Sequence, residues 1–579
     1  MNRLFGTDPG HLWSIWAPLF LALVFWWSQA RYGFAPIDDG AMLAQAWRVV
    51  NAEIPHVDFD SIRPVGSAII HAPFTLLPWG MLVLDRLVVT LECLWIAAAT
   101  TFVVVGRRGY LPIEKFLLIV IAFFVNVGIW PMMAWHTIDG LFLGVTAIWL
   151  VSGESNSRFE RIRWMMAWIL AGSAPFVKQG FIIVPFALIV WLAFHRKWIG
   201  LRYVPAVLVP GIVYLIATRG HVDAAFEQIT RSSRPTELLD PGWTLLSYVQ
   251  SPRGILALAL ALMAALVMRD RVRKLAARVA VSGVIMVFAL LWPMYTERLA
   301  LVGLWPFGVL LALVVVSAML TTQLEEVGLV AVVLLLALSV SVSRGVMNPG
   351  FFAGSMLVAA LVILWGIPRE PRAKSTSGVT LVSPGAVTLN WVNWSRIGIA
   401  TVIALGVLAI SLVSRNSYVY GEGARSNLEF TVDIPSFALI KMSERSAAYV
   451  EVVDACVRSN PAAQVAVIPD GPAFYALLHL RNPFANDWFA PGEIDYYRVG
   501  PGTDAHAKDV QQTIARLNGS SDWLVLTQAL PFNGVNTSSD VNASGSPYGY
   551  FPGDEKITSR LEGTDVTCGF LSGKYRPSE

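Results

Sequence analysis

The sequence predicts a polytopic, all-α membrane bundle of about thirteen transmembrane helices with a C-terminal extracytoplasmic α/β domain, and three observations predict it. Of 579 residues, 55% are hydrophobic and 14% charged, whereas soluble domains carry about a quarter charged residues. Apolar runs approaching the roughly 20 residues that cross a bilayer recur from residue 12 to residue 413. Beyond Val413 the texture changes to Asn, Asp, Gly, Ser and Pro, with no further run. The 22 Trp and 29 Phe fit the same class, since aromatic rings collect at bilayer interfaces. A net charge of +3 over this length excludes nucleic acid as a partner and leaves the basic residues a topological role.

The apolar runs fall near 12–29, 84–105, 115–134, 140–152, 164–178, 180–195, 203–217, 254–268, 278–295, 298–319, 327–343, 349–367 and 395–413. A fourteenth stretch, 66–80, is apolar but interrupted by His71, Pro73 and Pro78. Charge decides its placement. Basic residues cluster at Arg107/Arg108/Lys115, Arg158/Arg161/Arg163, Arg196/Lys197/Arg202, Arg269/Arg271/Arg273/Lys274 and Arg369/Arg372/Lys374, and such loops stay in the cytoplasm. All five reach that side only when 66–80 is interfacial or re-entrant. The first loop, 30–83, and everything after the last span then face outward. The first span reads as a retained signal anchor, because its apolar core is long and no small-residue cleavage site follows.

This divides the chain at 1–414 for the membrane domain and 415–579 for the outer domain. In the latter, "AQVAVIPD" and "DWLVLTQ" read as short buried strands between turn residues. "AAYVEVVDACVRS" and "DVQQTIARLN" show helical apolar spacing. Cys456 and Cys568 both lie there, in a compartment that permits oxidation, and form either a bridge or two free thiols. The third cysteine, Cys93, sits in an apolar run, and no Cys/His metal spacing appears.

Polar residues at the outward ends of the spans are candidates for chemistry, since ionisable groups at the rim of a bundle are costly to keep. Asp38 and Asp39 follow the first span. His56, Asp58, Asp60 and Arg63 continue that loop. "WHTIDG", residues 135–140, joins spans three and four. Lys178 and Gln179 separate spans five and six, and Glu297 and Arg298 separate nine and ten. A carboxylate with nearby cations suits group transfer from a phosphate-bearing lipid: the ionised acid takes the acceptor's proton, and Lys or Arg stabilise charge on the departing phosphate.

This pattern resembles the GT-C superfamily of lipid-linked-sugar glycosyltransferases, within it the branch of the aminoarabinose transferase and the protein O-mannosyltransferases. The resemblance runs over residues 10–320. It is carried by "PIDDGAMLAQAWRVVNAEIPHVDFDSIRPVGSAIIHAPF", "MAWHTIDGLFL", "APFVKQGFIIVP" and "YTERLALVGLWPFGVLLAL". By this resemblance the family's loop aspartate falls on Asp38, with Asp39 as the second acid. The later aspartate falls on Asp139, the lysine on Lys178 and the basic residue on Arg298. The chain departs from the aminoarabinose transferase in having the single Pro64 followed by "VGSAIIHAPF" where that enzyme has a double proline, so its acceptor is not inherited.

The resemblance implies an inverting transferase of the cytoplasmic membrane. It moves a sugar from a polyprenyl-phosphate donor to a glycan, lipid or protein hydroxyl on the outer face. Asp38 is the implied base, with Asp39 and Asp139 catalytic. Lys178, Arg298 and Arg63 hold the phosphate, and His136 and Asp58 contact substrate. A divalent cation is an open question, with Asp38, Asp58 and Asp60 the candidate ligands. Two rivals remain. A transporter or flippase is kept in view by Glu92, an ionisable residue inside the second span. A polysaccharide polymerase or ligase would lean instead on arginine-rich loops.

Overall fold

The computed structural model describes residues 9–36, 38–106, 108–128, 132–153, 159–232, 324–341, 350–365, 391–417, 422, 424–459, 464–468, 471–482, 487, 523–528, 559–560 and 566–571. The expected spans at 254–268, 278–295 and 298–319, and the helix expected in "DVQQTIARLN", lie outside these residues.

Every other expected span is helical. The first is α1 (Pro9–Phe25), continued by a π-helical turn at Trp26–Ala30. The next are α4 (Met81–Val105), α5 (Pro112–Val127), α6 (His136–Ser152) and α7 (Glu160–Val177). Then come α8 (Ile183–Phe194) and α9 (Val209–Ala217), each entered through 3-10 turns, at Gln179–Ile182 and Trp198–Leu208. The later spans are α11 (Leu324–Ser341), α12 (Ala353–Trp365) and α13 (Trp391–Ser417). Among the described residues, three helices are long and apolar enough to cross a membrane: Met81–Val105, Trp198–Ala217 and Asn393–Val413.

Residues 66–80 do not form a span. They fold as α3 (Gly66–His71) and a 3-10 segment, Ala72–Leu76, which together cover too few residues to cross a bilayer. Pro73 and Pro78 lack the N–H that a continuing helix needs. Between α1 and α3 the loop contains a helix of its own, α2 (Asp38–Val50). A further short helix, α10 (Val222–Ser232), follows α9.

Local chemistry sets several of these elements. Pro112 opens α5, where its missing N–H costs nothing, and the Glu114 side chain accepts the Leu111 N–H at 2.7 Å. The other Glu114 oxygen takes Arg396 of α13 at 2.7 Å in a buried ion pair. Asn126 near the end of α5 binds α12 twice, accepting the Gly354 N–H (2.9 Å) and donating to Ser355 Oγ (3.2 Å). These polar ties fix neighbouring helices whose remaining contacts are apolar and non-directional.

In the C-terminal region, α14 (Glu444–Ser459) and a short α15 (Pro472–Leu477) accompany β1 (Gln464–Ile468), β2 (Trp523–Gln528), β3 (Ser559–Arg560) and β4 (Val566–Leu571). The sheet order is β1-β2-β4-β3, with β1 and β2 parallel and the other pairs antiparallel. Both strands read from the sequence are present, as β1 and β2. Cys456 is disulfide-bonded and Cys93 is a buried free thiol, which accords with a bridge rather than two free thiols in this region.

The C-terminal segment is fastened to the first loop. Lys441 donates its N–H to the Arg31 carbonyl (2.9 Å) and accepts the Gly33 N–H (2.8 Å). Glu422 bridges the Phe34 and Ser443 amides. Arg48 of α2 pairs with Asp487 and Glu53, each at 2.7 Å. A joint core of Phe34, Leu43, Met81, Phe437, Val450 and Phe474 lies beneath these ties. Gly40 admits the closest approach: a Cβ there would lie 1.9 Å from the Ala473 nitrogen. At the other end of the loop, a Cβ on Gly66 would lie 2.4 Å from the Phe176 carbonyl oxygen, so α3 rests directly on the α7 backbone.

Candidate functional site

The opening turn of α6 is where distant elements converge. Trp135 precedes it with extended backbone, and His136, Thr137 and Asp139 then project in different directions around the helix. All three are buried. Each meets a different part of the chain.

His136 takes a hydrogen bond from Arg63 of the first loop, Arg63 Nη1 to His136 Nδ1 at 3.2 Å. A guanidinium can only donate, so that imidazole nitrogen accepts. Thr137 accepts from Lys178 Nζ at 3.0 Å, and Lys178 also reaches the Val340 carbonyl at 3.5 Å. Lys178 is 1% exposed and stands where α7 ends. There the backbone turns extended, next to Pro175 within the last helical turn. Asp139 meets α3 through two side chains. Ser67 Oγ donates to its Oδ2 and His71 Nε2 faces its Oδ1 at 3.2 Å.

His71 carries the cluster onward to α4. Its Nδ1 lies 2.5 Å from Asp85 Oδ1, so both ring nitrogens face carboxylates. Burial opposes charge on the ring, but the carboxylates of Asp85 and Asp139 outweigh it and hold the imidazole protonated well above its usual range. Glu92, two turns after Asp85 on α4, brings a carboxylate oxygen within 4.8 Å of His71 and Asp139 ligand atoms. Among the described residues its Oε2 has no hydrogen-bond partner, nor has Asp85 Oδ2.

The twin acids of the first loop part company. Asp39 is 1% exposed. Its Oδ2 takes the Ala35 N–H at 2.9 Å and Arg86 Nη2 at 2.7 Å, and its Oδ1 faces Arg86 Nε at 3.3 Å. Arg86 completes its set on the carbonyls of Ala30 (2.8 Å) and Gly33 (2.9 Å). Burial lifts the Asp39 carboxyl above its ordinary range against the pull of Arg86, and Asp85 adds to the rise. Asp38, the first residue of α2, is only partly buried. Its helix seats Ala41 and Met42 against Ala134, just ahead of the α6 turn.

Four of the expected site residues, Arg63, His136, Lys178 and Asp139, are therefore gathered around that turn. Asp58 and Asp60 go elsewhere. Asp58 is exposed and caps the Ile54 N–H at 2.6 Å, while Asp60 accepts from Gln228 of α10 at 2.6 Å. The metal candidates Asp38, Asp58 and Asp60 do not form a ligand group; among the described residues that arrangement falls to His71, Glu92 and Asp139. Asp58 and Asp60 are turned to backbone and to α10. Arg298 lies outside the described residues.

Sequence reading passed over Ser67, His71, Asp85, Arg86 and Thr137 as site members. The available signal was three ionisable residues, Asp85, Arg86 and Glu92, within one helix apolar enough to span a membrane, where each demands a partner.

The architecture matches a solved one. The crystal structure of ArnT from Cupriavidus metallidurans in the apo state superposes with a TM-score of 0.50 at 12% identity, over 96% of this chain and 98% of that one. The fold is ArnT-like over that length. A second ArnT structure, bound to undecaprenyl phosphate, matches at a TM-score of 0.44 and 12% identity over 96% and 99% of the two chains. No family model and no curated protein sequence matches the chain. Within this ArnT-like frame the α6 turn offers a buried acid, two cations and a histidine side by side. That is a set able to bind an anionic group and to move a proton.

Proposed function

We propose that the chain is a polyprenyl-phosphate-sugar glycosyltransferase of the cytoplasmic membrane, with its site on the outer face. The observation that carries the reading is the convergence of Arg63, Lys178 and Asp139 on the first turn of α6, inside an ArnT-like fold. The donor phosphate lies against Lys178 and Arg63, with Arg298 as a third cation, where positive charge lowers the barrier to its departure. Asp38 takes the proton of the acceptor hydroxyl as general base. The hydroxyl oxygen bonds to the anomeric carbon as the bond to phosphate breaks, and configuration inverts in a single displacement. Asp39, tied to Arg86, holds the loop that presents Asp38. Asp139 and His136 orient the acceptor. Residues 1–414 form the membrane domain, and 415–579 an outer domain whose contacts with the loop hold the site in place and help select the acceptor.

The test is transfer of labelled sugar from synthetic polyprenyl phosphate to membrane-extract acceptors by purified protein. Asp38→Asn is expected to lose activity by about 100-fold or more, the scale of general-base catalysis, with unfolding unchanged. Full activity in Asp38→Asn removes the base. A solute crossing proteoliposomes with no sugar transferred replaces this reading with a transporter, for which a buried charged cluster would also be expected.

A further inference from the structure

We propose that His71, Glu92 and Asp139 bind one divalent transition-metal ion, of the Mn2+ or Zn2+ kind, with Asp85 orienting the histidine behind it. The site stands apart from the loop acids considered for a cation and does not depend on sugar transfer being the activity.

Geometry is the first support. One ligand atom from each of the three residues falls within 4.8 Å of the others. Ligands on opposite sides of a Zn2+ ion stand about 4 Å apart, given bond lengths near 2.1 Å, so modest side-chain rotation closes the group. All three are deeply buried, at 0%, 6% and 0% exposure for His71, Glu92 and Asp139.

Unmet polarity is the second, independent support. Among the described residues Glu92 Oε2 is buried without a hydrogen-bond partner, and an unsatisfied buried carboxylate oxygen is expensive. Ligand atoms of Glu92 and Asp139 lie within 4.8 Å of each other, a like-charge approach that a proton or a cation between them relieves. Three carboxylates, Asp85, Glu92 and Asp139, share one imidazole, and even a charged ring leaves the group negative. A dication corrects this imbalance; a single shared proton corrects less of it.

The third support is orientation. Metal-bound histidines usually donate the nitrogen that does not coordinate to a carboxylate, which fixes tautomer and ring direction. His71 is held that way, its Nδ1 on Asp85 and its Nε2 aimed at Asp139. Ser67 anchors the far oxygen of Asp139, leaving Oδ1 toward the ring. The donors, one imidazole and two carboxylates, suit Mn2+ or Zn2+. Ca2+ and Mg2+ prefer oxygen alone.

The experiment uses the full-length protein in nanodiscs, stripped with chelator. MnCl2 is titrated with free ion read by electron paramagnetic resonance, and ZnCl2 with bound ion read by elemental analysis after desalting. One ion per chain is expected, together with a rise in unfolding temperature. Asp85→Asn weakens binding by about 10–100-fold, and Glu92→Gln and Asp139→Asn by at least as much. In the metal-free state Glu92→Gln is expected to match or exceed wild-type stability, because it removes a like charge. Binding that is absent, or that survives Glu92→Gln unchanged, overturns the site. Should the variants fail to fold, pulsed resonance on wild-type protein with bound Mn2+ decides. Nitrogen coupling from a single histidine supports the site, and its absence removes it. Because ion binding and sugar transfer are read separately, loss of either proposal leaves the other standing.

Discussion

Asp85 and Arg86 are neighbours on one helix, both essentially inaccessible, at 1% and 0% exposure, and they live in opposite circumstances. Arg86 looks toward the first loop, where one carboxylate and two carbonyls satisfy it. Asp85 looks toward α3 and α6, where negative groups outnumber the single cationic ring. A buried charge with a full complement of partners costs little to keep but much to break, and such an arrangement is scaffold. A buried group with surplus charge of one sign is held in place by the surrounding fold and waits for something to bind. On this comparison Arg86 positions the first loop, and Asp85 belongs to the cluster proposed to bind a metal ion.

The largest expected effect tests the scaffold half. Arg86→Met leaves Asp39 buried without its cation and is expected to destabilise by about 3–5 kcal/mol, read as a fall in unfolding temperature in detergent. Adding Asp39→Asn to it should recover much of that loss. If the double variant is as unstable as the single one, the Arg86 contacts to the Ala30 and Gly33 carbonyls, rather than the ion pair, hold the loop.

Next in size is the seat of α2. Gly40→Ala forces the α2 and α15 backbones apart and should cost about 1–3 kcal/mol, as overpacking does. It should also lower any transferase activity through Asp38 while leaving metal binding at His71 intact. Equal loss of both would show that the two halves are not separable.

A smaller effect concerns the neutral polar cluster at the far end of the loop. There His56 sits between Tyr214 (2.6 Å) and Gln228 (2.8 Å). Burial lowers its pKa below the ordinary 6.5, against the opposing pulls of Gln228 and Asp60. The folded protein therefore prefers the neutral ring. Its contribution to stability is complete above about pH 6.5 and is lost as pH falls toward the lowered value. In that window the slope approaches about 1.4 kcal/mol per pH unit. Unfolding measured across this window in wild type and His56→Gln should show the slope in wild type alone. The smallest effect is Arg458→Ala on α14. Its pair with Asp454 is 65% exposed on the arginine side, so the change should stay below about 0.5 kcal/mol.

How much of this the sequence disclosed follows from the range of the forces involved. The described apolar runs became helices because burial of a continuous stretch is a local property. Loop charge placed 66–80 off the crossing path, and Pro73 and Pro78 are the local reason it does not continue as a helix. Asp139, His136 and Lys178 were legible as polar residues interrupting apolar stretches at span ends. Asp38 and Asp39 read as a pair with Asp38 the implied base, and the structure adds that Asp39 is the buried one. Which of two adjacent acids meets Arg86 depends on helix phase and on a residue 47 positions away. His71 read as a mere interruption of an apolar stretch, and Glu92 as an isolated intruder supporting a transporter. Their meeting on Asp139 joins three separate elements, and no spacing along the chain encodes it.

The close approach of Gly40 to Ala473 carries a consequence for anyone who would graft this loop onto a relative. The first loop and the distant C-terminal strap are two moulded halves of a single joint. Exchanged one at a time they should jam, whereas a chimera that swaps residues 31–50 together with 422–487 keeps the fit.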